Sequence, residues 1–352
     1  MKRKTRLAMI VDPRFSGGTS SAVAREIRVL APHFDLQVHA IETRMFKGRS
    51  VHSAIEKALG EEGLDLIWNA PLIRAEIVVL HNPSCLKFDA ALNCRIYCDT
   101  FFTVSHENFL SPQGQEGYDV GHCLELLEDG VLAARRYIAP VSGYNRRTVQ
   151  TWLASNDRSW RVAAFDWFNI CDFDMLPPSP PRDRRGRHSR AGFEKFPPLS
   201  DMEIIFPPTA EACRILGADS YLLDPESIPE NWDAIPFGAE PVGDFLKTID
   251  FFVYYTAPTL QESFGRVIAE AIAAGKLVIT DQRTAEAFGP AVYVAEPKEV
   301  SDVVSRFIRS PKSYVRFVRN AQTHLEKFSS TMFLNAVTQA FADTKNGPHD
   351  FL

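Results

Sequence analysis

Short apolar segments alternate with helical patterns along nearly the whole chain, and this alternation restricts the fold more than any other feature. The first apolar segment, Leu7–Val11, is followed by Gly17 and Gly18, and then by a helical pattern that carries Val23 and Ile27. Strands that are buried on both faces read as short continuous apolar runs, and a helix after each of them implies parallel strands. The sequence therefore predicts an α/β fold built from Rossmann-like, doubly wound sheets.

The same pattern returns in the second half of the chain, so we expect two such sheets. The predicted strands, each a short apolar run, are Leu7–Val11, Asp35–Ile41, Leu64–Trp68, Glu76–Leu80, Thr100–Val104, Tyr137–Val141, Glu203–Phe206, Ser220–Leu223, Phe251–Tyr255, Leu277–Thr280 and Ala291–Val294. The predicted helices after the first one are Ser50–Leu59, Leu124–Arg136, Asn145–Leu153, Val242–Lys247, Phe264–Ala274, Val300–Ile308 and two stretches within Tyr314–Phe341.

A proline-rich segment separates the two halves. Pro177, Pro178, Pro180 and Pro181 crowd into five positions, and proline at this density stiffens an extended connector. A chain of 352 residues is long enough for two domains. We therefore expect a first domain over residues 1–167, a linker near 167–182 and a second domain over residues 168–329.

Net charge and apolar content exclude several classes of protein. The 39 Lys and Arg against 44 Asp and Glu give a net charge of −5, whereas nucleic-acid-binding proteins are normally basic. No uncharged apolar run reaches the roughly 18 residues of a membrane span. We expect a cytoplasmic protein with no nucleic-acid partner, whose basic residues within 1–6 make at most a peripheral contact with an anionic membrane surface.

Metal sites are not predicted either. None of the six cysteines has the Cys-x-x-Cys spacing of a zinc or redox site, and no Asp-x-Asp motif stands at a predicted strand end. The sequence therefore predicts no bound metal and no resident cofactor.

The segment 262–275 is the most informative part of the chain. Its helix is predicted to begin near Phe264, with Ser263 as the N-cap, and to stop at Gly275. The amides of Phe264, Gly265 and Arg266 then have no helical acceptor and point towards an anion, and a glycine at 265 lets phosphate approach the backbone. This arrangement is typical of a binding site for a nucleoside diphosphate.

Two glutamates flank this helix start. Glu262 lies on the loop before the helix, where its carboxylate can accept hydrogen bonds from sugar hydroxyls. Glu270 lies two turns into the helix, roughly 10 Å along its axis, where a carboxylate can hold ribose hydroxyls. Seven residues separate the two glutamates, followed by a glycine turn and a strand. This segment resembles the nucleotide-sugar helix of the retaining glycosyltransferases of the GT-B fold.

The resemblance implies two Rossmann-like domains that face each other across a cleft, with the last helix, at about 330–352, crossing back to the first domain. It also implies an arginine and a lysine that neutralise the donor diphosphate after the first strand of the second domain. Arg187 and Lys195 match these positions, and Arg190 competes with Arg187. The residues before this motif depart from the family, because they are charged and rich in proline where an apolar strand is usual.

In the first domain, the resemblance implies a glycine turn near the donor phosphates and a histidine that faces the donor sugar. Gly17 and Gly18 match the turn, which lacks the Gly-x-Gly-x-x-Gly fingerprint of a dehydrogenase. His106, after the strand Thr100–Val104, is the predicted histidine, and His81 is its rival.

The implied activity is the transfer of a sugar from a nucleoside-diphosphate donor to a hydroxyl with retention of configuration and without a metal, as in polysaccharide biosynthesis. The acceptor class stays open between a glycan, a lipid-linked glycan and a small molecule. Three alternatives remain. The first is another reaction on the same fold, by a nucleotide-sugar epimerase or by a phosphorylase, which the lack of an inserted cofactor segment disfavours. The second is a non-catalytic nucleotide-binding subunit, and the third is nucleic-acid binding through the basic run Arg182–Arg190, which the acidic net charge disfavours.

Overall fold

The computed structural model describes residues 3–15, 17–224, 226 and 228–346. The chain divides into two compact units: residues 1–170 with 330–352, and residues 171–329. The sequence-based boundary at residue 167 lies three residues before this division. The part of the predicted last helix beyond residue 346 lies outside the described residues.

The first unit is an eight-stranded sheet with helices between the strands. Its order is β3-β2-β1-β5-β6-β7-β8, with β4 paired to β6, and all of these pairs are parallel. Its elements are β1 (Arg6–Val11), α1 (Gly18–Leu30), β2 (Asp35–Ala40), α2 (Ser53–Glu62), β3 (Leu66–Trp68), β4 (Leu72–Arg74), β5 (Ile77–His81), β6 (Arg95–Ser105), α3 (Val120–Gly130), β7 (Val131–Pro140), α4 (Gly143–Ser155), β8 (Arg161–Val162) and α10 (Ser330–Asn346).

The second unit is a six-stranded parallel sheet of order β11-β10-β9-β12-β13-β14. This is the 3-2-1-4-5-6 order of a doubly wound Rossmann sheet. Its elements are β9 (Arg184–His188), α5 (Leu199–Ile205), β10 (Ala212–Leu216), β11 (Trp232–Ile235), α6 (Val242–Lys247), β12 (Phe251–Tyr254), α7 (Arg266–Ala273), β13 (Leu277–Thr280), β14 (Tyr293–Val294), α8 (Val300–Arg309) and α9 (Pro311–His324).

Each unit buries its own apolar core against its sheet. In the first unit, Ile10, Val78 and Leu80 lie in a core that also contains Trp152. In the second, Ile215, Val253 and Ile279 lie in a core with residues of α5, α8 and α9. Two doubly wound α/β units confirm the predicted fold class.

Several predicted elements are wrong. The helix predicted over Leu124–Arg136 ends at Gly130, because the chain from Val131 onward pairs with β6 as β7. The segment Glu203–Phe206 is not a strand but the end of α5, because Met202 and Ile205 are buried on one helical face. Residues 220–223 form turns, and the strands beside them are β10 and β11, which the sequence did not indicate.

Candidate active site

The reversal of strand order in the second unit lies between β9 and β12, which are neighbours in the sheet. Ligands of doubly wound sheets bind beyond the carboxyl ends of the strands at such a reversal. The residues at these two ends are His188 and Tyr254. The fold thus directs attention to the loops that follow β9 and β12.

Strand β9 is unusually charged for the centre of a parallel sheet. Arg184 pairs with Asp250 at 2.7 Å, and the buried Arg185 pairs with Asp183 at 2.7 Å. No strand was predicted here, because strands buried on both faces are normally apolar. Carboxylates outside the strand neutralise these two arginines, which allows them to lie in the sheet.

Arg187 lies inside β9 and is fully buried. Its guanidinium stacks on Phe196 at 4.2 Å and Tyr254 at 4.9 Å from the ring centroids, and it donates hydrogen bonds to the carbonyls of Tyr255 and Lys195. Burial lowers its pKa. Arg187 therefore holds the Lys195 backbone in place, and its contact with a diphosphate stays a prediction.

Lys195 and Glu262, 67 residues apart in sequence, form an ion pair with 2.7 Å between Nζ and Oε1. The hydroxyl of Tyr254 donates a second hydrogen bond to the same oxygen at 2.6 Å. Both charged side chains are mostly covered, with 12% of Lys195 and 17% of Glu262 exposed. The structure thus brings together the loop glutamate and the lysine that the sequence singled out.

The pKa of Glu262 lies below its ordinary value of 4.5. Burial by itself raises it, but the charge of Lys195 and the hydrogen bonds from Lys195 and Tyr254 lower it by more, with a further contribution from Arg190. Glu262 is therefore a carboxylate at neutral pH.

Arg190 is the more accessible of the two competing arginines. Its side chain is 53% exposed and pairs with Glu194 at 2.7 Å. Its charge reaches Glu262, whose pKa it lowers. Arg190 is therefore free of the burial that encloses Arg187.

The helix after Glu262 begins later than predicted. Gly265 has φ of +86° and forms the N-cap, so α7 starts at Arg266 and Ser263 does not cap it. The left-handed turn at Gly265, which glycine adopts without steric cost, separates the loop from the helix. Phe264 is buried in the loop, where its ring packs edge-on against Phe288 and Phe328.

The end of α7 agrees with the prediction. Gly275 has φ of +78°, and Leu277 opens β13 two residues later. An added Cβ at Gly275 would lie 2.9 Å from the carbonyl oxygen of Leu176, so the position needs glycine for space as well as for its backbone.

Glu270 projects from α7 towards the end of β9. Its Oε1 accepts a hydrogen bond from Nε of Arg266 at 2.9 Å, and its Oε2 lies 3.6 Å from Nε2 of His188. Burial, with the neighbouring charge of Arg187, lowers the pKa of His188 to about 3, so this histidine is neutral. Both predicted carboxylates thus reach groups on or just after β9.

In the first unit the strand order reverses between β1 and β5; the predicted glycines follow β1 and His81 ends β5, whereas His106 follows the next strand, β6. Gly17 is the N-cap of α1 and Gly18 is its first residue, and neither has a positive φ. An added Cβ at Gly17 would lie 2.6 Å from the ring of Phe15, whereas Gly18 faces open space. Their role near phosphates stays a prediction.

The two rival histidines are partners. Nδ1 of His81, the last residue of β5, lies 3.1 Å from Nε2 of His106, which follows β6. Burial lowers the pKa of His81 well below its ordinary value and that of His106 to about 3, so both rings are neutral. His81 is fully enclosed, whereas His106 is partly exposed.

Three residues around these groups were missed by the sequence analysis: Tyr254, His188 and Glu26. Tyr254 reads as the apolar end of a strand, and His188 follows Arg187 in a segment whose basic residues drew the attention. Glu26 lies on a regular amphipathic helix, where a single acid carries no signal. Only the sheet order shows that these residues meet the predicted ones.

No group of three or more His, Cys, Asp or Glu within residues 3–15, 17–224, 226 and 228–346 is arranged to hold a metal ion. Among the helices in the same ranges, none combines the length and apolar character needed to cross a bilayer.

Comparison with known proteins finds matches in structure alone. No family model matches the chain, and no curated protein sequence matches it significantly. HepE from Anabaena, solved in complex with UDP and glucose, aligns with a TM-score of 0.66 at 13% identity, covering 96% of this chain and 100% of HepE.

Two further solved structures align over nearly the whole chain. A glycosyltransferase from Rickettsia africae gives a TM-score of 0.61 at 13% identity, covering 98% of this chain and 100% of its own. An α-glucosyltransferase in complex with UDP-glucose and DNA containing an abasic site gives a TM-score of 0.57 at 10% identity, covering 97% of this chain and 99% of its own. At these identities the likeness establishes a shared fold.

Proposed function

We propose that this chain is a glycosyltransferase that moves a sugar from a nucleoside-diphosphate donor to an acceptor hydroxyl, with retention of configuration and without a metal ion. The observation that carries the proposal is the Glu262–Lys195 ion pair at the strand-order reversal of the second unit, beside α7 and Glu270. The fold shared with solved glycosyltransferases supports it.

Cationic groups supply the charge that a departing diphosphate needs. In this proposal Lys195 and Arg190 bind the phosphates and stabilise the negative charge that grows as the bond to the sugar breaks. Arg187 holds the Lys195 loop from within the protein. Arg266, whose guanidinium is held by Glu270, stands at the start of α7 next to free backbone amides.

The two glutamates bind hydroxyl groups. Glu262 is ionised and accepts hydrogen bonds from the donor sugar, while Glu270 accepts them from the ribose. Tyr254 and Lys195 fix the orientation of the Glu262 carboxylate, which reduces the reorganisation needed when a sugar binds.

The sugar transfer forms a bond from the anomeric carbon to the acceptor oxygen and breaks the bond from that carbon to the diphosphate. The acceptor proton goes to the departing phosphate on the same face, so no protein nucleophile is required. His106 of the first unit orients hydroxyl groups of the donor sugar or the acceptor.

Hydrolysis of the donor by water tests the proposal without knowledge of the acceptor. We would incubate the protein with UDP-glucose, GDP-mannose and ADP-glucose and measure release of the nucleoside diphosphate, after a thermal-shift panel of UDP, GDP and ADP. UDP comes first, because HepE and the α-glucosyltransferase were solved with UDP or UDP-glucose. Binding to the folded state raises the apparent Tm.

The variant Glu262→Ala should lose most of this hydrolysis, and Glu203→Ala, which removes an exposed carboxylate on α5, should retain it. Equal rates in both variants would contradict the assigned role of Glu262. Tight nucleotide binding with no turnover would favour the non-catalytic subunit, and conversion of the nucleotide sugar into its epimer would favour the epimerase.

A further inference from the structure

Helix α9 of the second unit carries three cations on one exposed face, which we call the α9 stripe: Lys312, Arg316 and Arg319. They follow the i, i+4, i+7 spacing of a single helical face, so they span roughly 10 Å along the helix. The other face of the helix is buried in the core through Tyr314 and Val318. The packing of α9 therefore keeps the three cations turned towards solvent.

The charge of the α9 stripe is not balanced by acids on the same helices. Residues 303–325 contain no aspartate or glutamate, although the whole chain has a net charge of −5. Their lysines and arginines are Arg306, Arg309, Lys312, Arg316 and Arg319. Within the described residues, no ion pair involves the three cations of the stripe.

Exposed lysines on other helices of the protein are paired differently. Lys57 lies 3.8 Å from Glu61, and Lys247 lies 2.8 Å from Asp244, in each case within one helix. Like charges four residues apart, as at Lys312 and Arg316, repel each other instead. The charge of the stripe is therefore available to an anion outside the protein.

The α9 stripe borders a groove of about 390 Å³. The lining of this groove combines the three cations and one amide, Asn320, with three apolar residues, Pro180, Pro311 and Val315. Cationic side chains next to apolar ones match a partner whose anionic groups and hydrocarbon lie at one surface.

This surface lies at the opposite end of the second sheet from the candidate donor site. The hydroxyl of Tyr314 accepts a hydrogen bond from the amide of Leu277 at 3.2 Å and donates one to the carbonyl of Asp250 at 2.6 Å. Leu277 begins β13 and Asp250 immediately precedes β12, so the first half of α9 lies at the amino ends of these strands. Lys195 and Glu262 instead follow the carboxyl ends of β9 and β12. The α9 stripe is thus a second charged surface, separate from the donor site.

We propose that the α9 stripe and its groove dock this protein on the anionic surface of a phospholipid bilayer. The cations contact lipid phosphates, and the apolar residues of the groove lie at the level of the headgroups. Each lysine or arginine near such a surface strengthens binding about fivefold, so three of them contribute about 100-fold. This inference goes beyond the proposed function and does not depend on it.

The surface fits a bilayer better than a nucleic acid. Proteins that bind single strands stack bases on aromatic rings, and no Phe, Tyr or Trp within residues 303–325 is exposed. The apolar part of the groove also has no counterpart in the phosphate backbone of a duplex, which is bound through charge.

Cosedimentation with vesicles tests the proposal. At low ionic strength the full chain should bind vesicles of phosphatidylcholine with phosphatidylglycerol, should not bind phosphatidylcholine alone, and should be released by added salt. The variant Lys312→Gln/Arg316→Gln/Arg319→Gln should bind the anionic vesicles about 100-fold more weakly. The charge-conserving variant Lys312→Arg/Arg316→Lys/Arg319→Lys should stay within about threefold of the wild type.

The matched control removes three charges from the exposed amino-terminal segment, in the variant Arg3→Gln/Lys4→Gln/Arg6→Gln. It should keep the wild-type affinity for vesicles, and thermal unfolding should show that all variants are folded. The proposal is overturned if the wild type ignores anionic vesicles, if the stripe variant binds them as well as the wild type, or if the loss appears in the amino-terminal variant instead. Tighter binding to RNA or duplex DNA than to vesicles would also overturn it. No nucleotide sugar is present, so this result is separate from the hydrolysis test of the proposed function.

Discussion

Glu26 in the first unit and Glu262 in the second are both largely shielded from water, yet their surroundings push their pKa values in opposite directions. Burial raises the pKa of Glu26 to about 8, because no cation lies beside it. Glu262 experiences the same penalty, but Lys195 and Tyr254 outweigh it. Burial alone therefore does not determine the charge of a carboxyl group; its partners do.

The comparison also separates two ways of preparing a site. The first unit holds one carboxyl group, Glu26, that burial keeps protonated, and a pair of neutral imidazole rings, so its groups act through hydrogen bonds and not through charge. The second unit holds paired charges, in which position and electrostatics carry it. Four predictions test this contrast.

The largest expected effect comes from the same substitution made in both units. Glu262→Gln removes the charge and should lower donor hydrolysis about 100-fold, the range expected when a preorganised electrostatic group is lost. Glu26→Gln removes only a proton-binding group and should change the rate by less than about threefold. Initial rates of donor hydrolysis at saturating donor measure the effect of each variant. A similar loss of rate in the two variants would contradict the different roles assigned to the two glutamates.

The second effect is a pH dependence of stability caused by Glu26. The unfolded chain releases this proton near pH 4.5, whereas the folded protein holds it to about pH 8. The stabilisation is therefore complete below pH 4.5 and is lost as the pH rises through 8. In urea unfolding, the free energy of unfolding of the wild type should therefore fall relative to that of Glu26→Gln by about 5 kcal/mol across this interval.

The control for this experiment is Glu203→Gln, an exposed carboxyl on α5, which should follow the wild-type pH curve. If Glu26→Gln also follows that curve, Glu26 titrates at an ordinary pKa and the contrast with Glu262 is wrong.

The third effect comes from removing the partner of Glu262. Lys195→Met should destabilise the protein by about 2 kcal/mol at pH 7, because it leaves a mostly covered carboxylate without its cation. This loss should shrink once the carboxyl is protonated, below a pKa that the variant raises above 4.5. Lys312→Met, an exposed position on α9, should cost nothing measurable in the same urea titrations.

The smallest effect concerns one glycine at the start of each of two helices: Gly265, the N-cap of α7, and Gly18, the first residue of α1. Gly265→Ala should cost about 1 kcal/mol, because an L-residue is strained at φ of +86°. Gly18→Ala should raise stability by roughly 0.5 kcal/mol, because Gly18 is helical and its Cβ position is open. Thermal unfolding measures both, and a loss of stability at residue 18 would contradict the open geometry.

Elements with strong local patterns were predicted well from sequence. The helix at Val242–Lys247, the strand at Leu277–Thr280 and the two helical stretches within Tyr314–Phe341 are found where the local patterns predicted them. The strand β9 was missed, because three of its five residues are arginines. Carboxylates outside the strand neutralise two of them, and aromatic rings cover the third.

The residues of the candidate site likewise fall into some that the sequence predicted and some that it did not. The motif around Glu262 and Glu270 was visible because loop, glycine and helix are close in sequence. The start of α7 was wrong by about two residues, because the left-handed turn at Gly265 uses the glycine as the cap itself. Tyr254 could not be found, because its ring reads as the apolar end of a strand although its hydroxyl binds Glu262. Glu26 could not be found, because its partner Trp167 lies 141 residues away in the chain.

The sequence by itself determined the alternation of strands and helices and the presence of two sheets. It also identified the two glutamates, Glu262 and Glu270, before and within α7. Local spacing encodes these features, because periodicity and turn chemistry act over a few residues. Only the tertiary structure decided which residues meet: it enclosed Arg187, paired Lys195 with Glu262 and joined His81 to His106. The protonation states of these side chains depend on their contacts and their burial, and a short stretch of sequence specifies neither of them.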